Sequence, residues 1–311
     1  MNDARKAAIE AHDLTKRFGG VAAVEKLSVD CAPGEVFGFV GPDGAGKTTI
    51  MRLLAAVMTP DEGSIAIEGL DAIAQPERVR ARVSYMPQRF GLYEDLTVDE
   101  NIEFFAELFS VGRRDREERA ARLLMASGMT PFRKRRAGLL SGGMKQKLGL
   151  TCSLVHAPKV LLLDEPTAGV DPMSRRDFWR ILYGLRGEGV AIVVATSYLD
   201  EAERCNRLGL LRDGRMLYCD TPAALKSLML GQILAIGSSD ARRARDLVAD
   251  RVGVKGAILM GDSVHVVVDD AALRARQLQA ALTAADVPVD EIERIAPSIE
   301  DLFVSLLTEG E

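Results

Sequence analysis

The stretch Gly41-Pro42-Asp43-Gly44-Ala45-Gly46-Lys47-Thr48-Thr49 restricts the fold of this 311-residue chain more than any other. It follows the apolar run Val36-Phe37-Gly38-Phe39-Val40, which has no polar alternation and so reads as a strand buried on both faces, as parallel sheets require. Thr49-Ile50-Met51-Arg52-Leu53-Leu54 then continues as a helix. Gly41, Gly44 and Gly46 let the backbone turn tightly and aim its N–H groups inward at an anion. Ala45 and Thr49 complete the cradle, Lys47 places a cation on outer phosphates, and the Thr48 hydroxyl suits Mg²⁺. The helix dipole points the same way. The full GxxxxGK[ST] pattern between a strand and a helix sets this apart from an ordinary glycine-rich turn. Asp43 would oppose a triphosphate if it faced one, so its side chain is expected to face solvent at the loop tip.

A second apolar strand, Val160 to Leu163, delivers Asp164 and Glu165 in succession. Asp164 is placed to hold Mg²⁺ beside Thr48. Glu165, on the opposite side of the chain, is placed to polarise an attacking water as general base. Alone, such a pair could be a solvated strand end; downstream of a phosphate loop it reads as catalytic. Just upstream, Ser141-Gly142-Gly143 opens a helix over Met144 to Leu154. Ser141 is a good N-cap, and the two glycines leave backbone N–H groups open to an anion.

Taken in order, these motifs make the chain resemble the nucleotide-binding subunit of ABC transporters over about residues 5–225. The resemblance implies ATP and Mg²⁺ as ligands. Phe18, in Leu14-Thr15-Lys16-Arg17-Phe18-Gly19-Gly20, sits where the family stacks an aromatic on adenine, a core phenylalanine being the alternative. Gln88, in Tyr85-Met86-Pro87-Gln88, matches the glutamine that touches Mg²⁺ and relays nucleotide state to a membrane partner. Ala168-Gly169-Val170-Asp171-Pro172 matches the segment that crosses the dimer interface. By the same resemblance two such domains pack head to tail, with ATP held between the phosphate loop of one and the Ser141-Gly142-Gly143 helix start of the other. The cycle implied is closure on ATP and reopening after hydrolysis.

One position departs from the family. After the strand Val190 to Val194 it normally places a histidine on the γ-phosphate; by register against Asp200-Glu201-Ala202-Glu203, Ser197 stands there. A serine hydroxyl donates one hydrogen bond, is shorter, and carries no charge. ATP binding is therefore expected with slow hydrolysis, unless Thr196 or a shifted residue substitutes. The runs Ser197 to Glu203 and Pro87 to Asp95 look like the first ATPase half of tandem exporter subunits of the YbhF type. Since one half is present here, either a second ATPase chain supplies the competent half or two copies form a homodimer with slow sites. A slow nucleotide switch that regulates a partner is the alternative to an exporter subunit. A translation or DNA-repair ATPase is disfavoured, because neither a second ATPase domain nor a long coiled coil is visible.

Composition adds bounds. At 47% hydrophobic and 27% charged, the chain suits a soluble protein of one large and one small domain. The longest apolar stretches are far short of the roughly twenty residues that span a bilayer. Met1 to Ala11 is polar and charged, so no secretory signal is expected. A cytoplasmic location, reaching the membrane through an integral-membrane permease, is expected. The net charge of −5 gives no reason to expect a nucleic-acid partner. Cys31, Cys152, Cys205 and Cys219 show no metal spacing and read as reduced thiols. His12, His156 and His265 are isolated. The Arg113–Arg116 and Arg133–Arg136 clusters read as solvated helix ends, though the second could approach anionic lipid.

The expected fold is α/β: an ATPase domain over 5–228 with a mostly parallel sheet and a helical lobe at about 89–155, then an α+β domain over 232–311. In the lobe, helices are expected over Asn101 to Phe109 and Arg114 to Ser127; Phe90, Leu92 and Tyr93 are either membrane-subunit contacts or lobe core. The tail reads β-α-β-β-α-β: a strand at Ile233–Ile236, a helix at Ala241–Val252, a hairpin of Ala257–Met260 and Val264–Val268 about Gly261-Asp262, a helix at Ala272–Ala285, and a strand at Pro288–Ile295. Ser298 caps a last helix carrying Ile299, Leu302, Phe303, Leu306 and Leu307 at helical spacing. This ferredoxin-like order, with Pro297 to Phe303, resembles the C-terminal extension of daunorubicin-type exporter ATPases, for which dimer stabilisation or regulation is the implied role.

Overall fold

A computed structural model describes residues 7–229, 231–261 and 263–308, the side chains of 306–308 excepted. Asp262 of the expected hairpin turn, the first six residues of Met1–Ala11, and the side chains of Leu306 and Leu307 lie outside the described residues. The chain divides into two compact units, one ending at Cys219 and one beginning at Asp220.

In the first unit the elements run β1 (Ile9–Phe18), β2 (Val21–Cys31), β3 (Val36–Val40), α1 (Lys47–Leu54), β4 (Glu62–Ile67), β5 (Leu70–Asp71), α2 (Pro76–Arg80), β6 (Val83–Met86), α3 (Val98–Leu108), α4 (Arg113–Ala126), α5 (Gly142–Leu154), β7 (Val160–Asp164), α6 (Pro172–Gly187), β8 (Ala191–Thr196), α7 (Leu199–Ala202), β9 (Arg207–Arg212) and β10 (Arg215–Asp220). Two sheets form. The first, in order β2-β1-β4-β5, is antiparallel; the second, in order β10-β9-β3-β8-β7-β6, is parallel from β9 to β6. Strands β3, β7 and β8 are buried at every residue, which is why their sequences carry no alternation. A continuous core joins Phe37, Phe39, Leu162 and Val193 of the parallel sheet to Ile50, Leu53 and Leu54 of α1 and to Ile9, Leu27 and Ile67 of the antiparallel sheet. At about 1.5–3 kcal/mol per fully buried large side chain, this core anchors the loop that β3 feeds into α1.

Helices α3 to α5 build a separate lobe around Val98, Ile102, Ala106, Leu124, Leu148 and Val155. Helix α3 starts three residues before the expected Asn101, because Thr97 and Glu100 close a capping box. Phe90 and Leu92 pack half-buried against the lobe core, whereas Tyr93 is 47% exposed with its ring on Phe104. The basic clusters are tied within the lobe: Arg113 to Glu117, Arg133 and Lys134 to Asp99, and Arg116 to Glu103.

The second unit comprises α8 (Pro222–Ser227), β11 (Gln232–Gly237), α9 (Ala241–Val248), β12 (Val254–Met260), β13 (Ser263–Val268), α10 (Ala271–Ala284), β14 (Glu291–Ile295) and α11 (Ile299–Thr308). Its sheet, in order β12-β13-β11-β14, is antiparallel throughout, the ferredoxin-like arrangement. Leu234, Ile236, Val264, Val266 and Val268 meet Ala244 and Val248 of α9 and Leu278 and Leu282 of α10. Two elements are shorter than expected. Helix α9 stops at Val248, and Val252, on the proposed helical run, is 83% exposed. Strand β14 starts at Glu291, and before it the Pro288 carbonyl accepts from the Ser238 hydroxyl at 2.6 Å. Residues 222–227, expected in the ATPase domain, lie in the second unit, where α8 contacts α11.

Candidate active site

The loop from β3 into α1 is shaped by close packing as much as by glycine flexibility. A Cβ at Gly41 would sit 2.5 Å from the Leu211 carbonyl oxygen. Gly46, at φ 99°, caps α1 in the left-handed region and abuts the Ala23 carbonyl. Neither position accepts a side chain. Thr48 and Thr49 follow on the first turn of α1, Ala45 is buried beneath the loop, and the exposed Asp43 and Gly44 form its tip. The Lys47 side chain folds back: Nζ donates to the carbonyls of Gly41 (2.8 Å) and Pro42 (3.2 Å) and lies 3.3 Å from Glu165 Oε1.

The end of β7 supplies the carboxylates from beneath. Asp164, 1% exposed, accepts from the Thr48 hydroxyl at 3.2 Å on one oxygen and from the Tyr85 hydroxyl at 3.3 Å on the other. Burial, and the Asp164 charge beside it, push the Tyr85 phenol up to about 12, so it stays a donor at neutral pH. Glu165 turns the chain at φ 48°, a conformation L-residues rarely adopt, and its N–H donates to the Ala195 carbonyl at 2.8 Å. Its second oxygen, Oε2, accepts from the Ser197 N–H at 3.1 Å and the Ser197 hydroxyl at 3.2 Å. Ser197 therefore touches the carboxylate expected to act as base. Lys47, Thr48, Gln88, Glu165 and the loop residues line one cleft.

Three further expectations concern residues away from that cleft's lining. Phe18 is 49% exposed with Lys16 Nζ 5.9 Å from its ring centre, so it is not a core phenylalanine. Ser141 caps α5 through the Met144 N–H, and Gly142 lies exposed on its first turn. Gly143 packs so tightly on Ser174 that a Cβ would collide with that hydroxyl. Asp171 caps α6, accepting from the Ser174 N–H at 2.9 Å, and this hydrogen bond holds its carboxyl below the usual range. The two helix starts are thus neighbours, and neither is among the residues that line the cleft at the phosphate loop.

Sequence reasoning assigned no role to Tyr85, Thr167, Arg175 or Glu201. Glu201 is fully buried, with Thr167 and Thr196 donating to its two oxygens. The available signal was chemical: a glutamate in a short helix directly after a buried strand. Among the described residues no His/Cys/Asp/Glu cluster of three or more suits a metal ion. Three cysteines, at 31, 152 and 205, are buried, and burial pushes their thiols up, while Cys219 is exposed. His156 is stacked on Phe109, and burial lowers it to about 4.

A parallel sheet that presents a glycine-rich phosphate loop, a buried lysine and an Asp-Glu pair at its carboxyl edge has the architecture of the phosphate-loop nucleotide-binding fold. Comparison with known proteins makes the class specific. The ABC transporter family profile matches residues 24–168. The chain is 44% identical over 312 residues to the probable multidrug ABC transporter ATP-binding protein YbhF of Escherichia coli K12, covering 99% of this chain and 53% of YbhF. It is 35% identical over 305 residues to the daunorubicin resistance ATP-binding protein DrrA2 of Streptomyces coeruleorubidus, covering 96% of this chain and 94% of DrrA2. A solved ATP-binding subunit of an ABC transporter superposes with a TM-score of 0.65 at 27% identity, over 71% of this chain and 92% of that one. The chain belongs to the ABC transporter ATP-binding family. It spans about half the length of the YbhF proteins it matches.

Proposed function

We propose that this chain is the ATP-binding subunit of an ABC exporter, coupling ATP binding and hydrolysis to efflux through a separate integral-membrane permease. The observation that carries this reading is the convergence of Lys47, Thr48, Gln88, Asp164 and Glu165 at one phosphate loop. The loop amides and Lys47 would bind the phosphates and Phe18 the adenine. Glu165 would take the proton from the attacking water. The oxygens of Thr48 and Asp164 lie 3.2 Å apart, and together with Gln88 they form a hard donor set that fits Mg²⁺. That ion, when bound, offsets charge on the phosphate oxygens. Names of the relatives, multidrug and daunorubicin resistance, support export as the direction. The placement of Ser141–Gly143 beside Asp171, with neither lining the cleft of their own loop, supports a dimer in which they close over the cleft of a second ATPase chain. That chain is either another copy or a different subunit. The subunit would sit on the cytoplasmic face of the membrane through its permease; no helix among the described residues is long and apolar enough to cross one. The C-terminal unit would stabilise the dimer or regulate it.

Equilibrium binding and steady-state turnover on the purified full-length chain test this. Mg²⁺-dependent ATP affinity is expected, and Lys47→Ala should weaken it about 10- to 100-fold, as for loss of hydrogen bonds to a charged group. A wild-type chain without affinity for ATP overturns the reading.

Ser197 supports a second reading, a slow nucleotide switch. Its hydroxyl is engaged with Glu165, and it is shorter than a histidine. Where a preorganised donor has been removed elsewhere, the rate falls by about 10²–10³-fold. Ser197→His should therefore raise turnover by about tenfold or more. No gain would remove the argument for a slow site, and strong stimulation by a membrane partner would favour the exporter over the switch.

A further inference from the structure

We propose that Glu201 is a positioning residue for the Glu165 carboxylate, acting through Thr167 and Thr196; this rests on the assignment of Glu165 as general base. Glu201 has no solvent exposure, and Thr167 and Thr196 are buried beside it. Its oxygens are divided between the two turns that shape the site. Oε1 accepts from the Thr167 hydroxyl, two residues past Glu165. Oε2 accepts from the Thr196 hydroxyl at 3.1 Å, one residue before Ser197. The Thr196 hydroxyl in turn accepts from the Tyr198 N–H at 3.0 Å, so Tyr198, Thr196 and Glu201 form a short polarised chain across the turn that holds Ser197.

Buried carboxylates are kept only where they are paired and fully hydrogen-bonded. Here the cation is Arg175 of α6, whose Nε lies 3.8 Å from Glu201 Oε1 and whose guanidinium carbon is 4.3 Å from the centre of the Tyr198 ring. One carboxylate therefore fastens four pieces of the fold: the turn after β7, the end of β8, α7 and α6. The consequence falls on Glu165. Its left-handed backbone, at φ 48°, is held from one side by the Ala195 carbonyl and from the other by the turn through Thr167. Its Oε2 is held by Ser197, whose own placement depends on Thr196. Releasing either threonine from Glu201 lets the base drift relative to the Lys47 loop without altering the loop itself.

The test uses the full-length chain with Thr167→Val, nearly isosteric and without the hydroxyl, and with Glu201→Gln. Turnover, KM for ATP, nucleotide affinity and thermal midpoint are read separately. A displaced base should lower kcat about 10- to 100-fold for Thr167→Val. KM and nucleotide affinity should change by less than about twofold, since the phosphate loop is intact. In the Glu165→Gln background, Thr167→Val should add no further loss, because the two act through one group. A purely structural role would instead lower affinity and thermal midpoint together with kcat, and would add to Glu165→Gln. Unchanged kcat in Thr167→Val, or full additivity, overturns the proposal. If Glu201→Gln does not fold, Thr167→Val alone decides. A wild-type chain that binds ATP but never hydrolyses it would instead overturn the role given to Glu165.

Discussion

The two compact units bury charge for different ends. In the first, Lys47, Asp164 and Glu165 are buried at one loop, and Lys47 and Glu165 also line its open cleft. In the second, Asp301 is equally buried, yet both its oxygens are consumed internally. One takes His265 Nδ1 at 2.7 Å; the other takes the Ser298 N–H and hydroxyl at 2.8 and 2.6 Å. Burying a carboxylate is costly in either place. What separates a reactive site from a structural clasp is whether a group partnered on one side stays open to a cleft on the other. By that measure the first unit offers charged groups to an open cleft, and the second keeps Asp301 within a closed polar clasp.

This contrast can be broken most sharply at the second unit's core. Leu282 is fully buried on α10 against the sheet. Leu282→Ala should reduce the opening free energy of the β11–β14 amides by about 2–5 kcal/mol, measured by hydrogen exchange on the full chain. Mg²⁺-dependent ATP affinity should stay at the wild-type value. A matching fall in affinity would mean that the second unit shapes the nucleotide site, and the contrast between the two units would fail.

Most of the architecture was legible because buried parallel strands announce themselves: Val36–Val40 and Val160–Asp164 are apolar runs that end in motifs of known chemistry. The β-α-β-β-α-β order of the second unit was legible for a related reason, since its strands and amphipathic helices alternate cleanly. Element ends were less so. The start of α3 is set by Thr97 and Glu100, a capping pair that the apolar periodicity beginning at Asn101 does not reveal. The pairings within the supporting shell of the site were hidden. Tyr85 meets Asp164 across 79 positions and Thr167 meets Glu201 across 34, so no local pattern marks either pair. Ser197 was singled out by its register against Asp200–Glu203, but its grip on Glu165 follows from the adjacency of β7 and β8 in the sheet order.

The clasp itself gives the finer, smaller test. Burial would raise the Asp301 carboxyl, but the hydrogen bonds from His265 and Ser298 outweigh it and hold the group below its ordinary value in the folded chain. The unfolded chain therefore takes up a proton more readily than the folded one. Stability from this carboxylate is complete above the ordinary aspartate value of about 3.9 and is lost as pH falls through the lower folded value. Hydrogen-exchange protection across β13 and α11 should accordingly weaken in the wild type as pH drops below about 4. Asp301→Asn should lower protection at neutral pH by about 1–3 kcal/mol, the cost of disturbing buried hydrogen bonds, and should flatten the acid limb. Parallel acid limbs in the two proteins would show that another group carries the pH dependence. Because Asp301 belongs to the unit without the phosphate loop, the same substitution should leave Mg²⁺-dependent ATP affinity where it was.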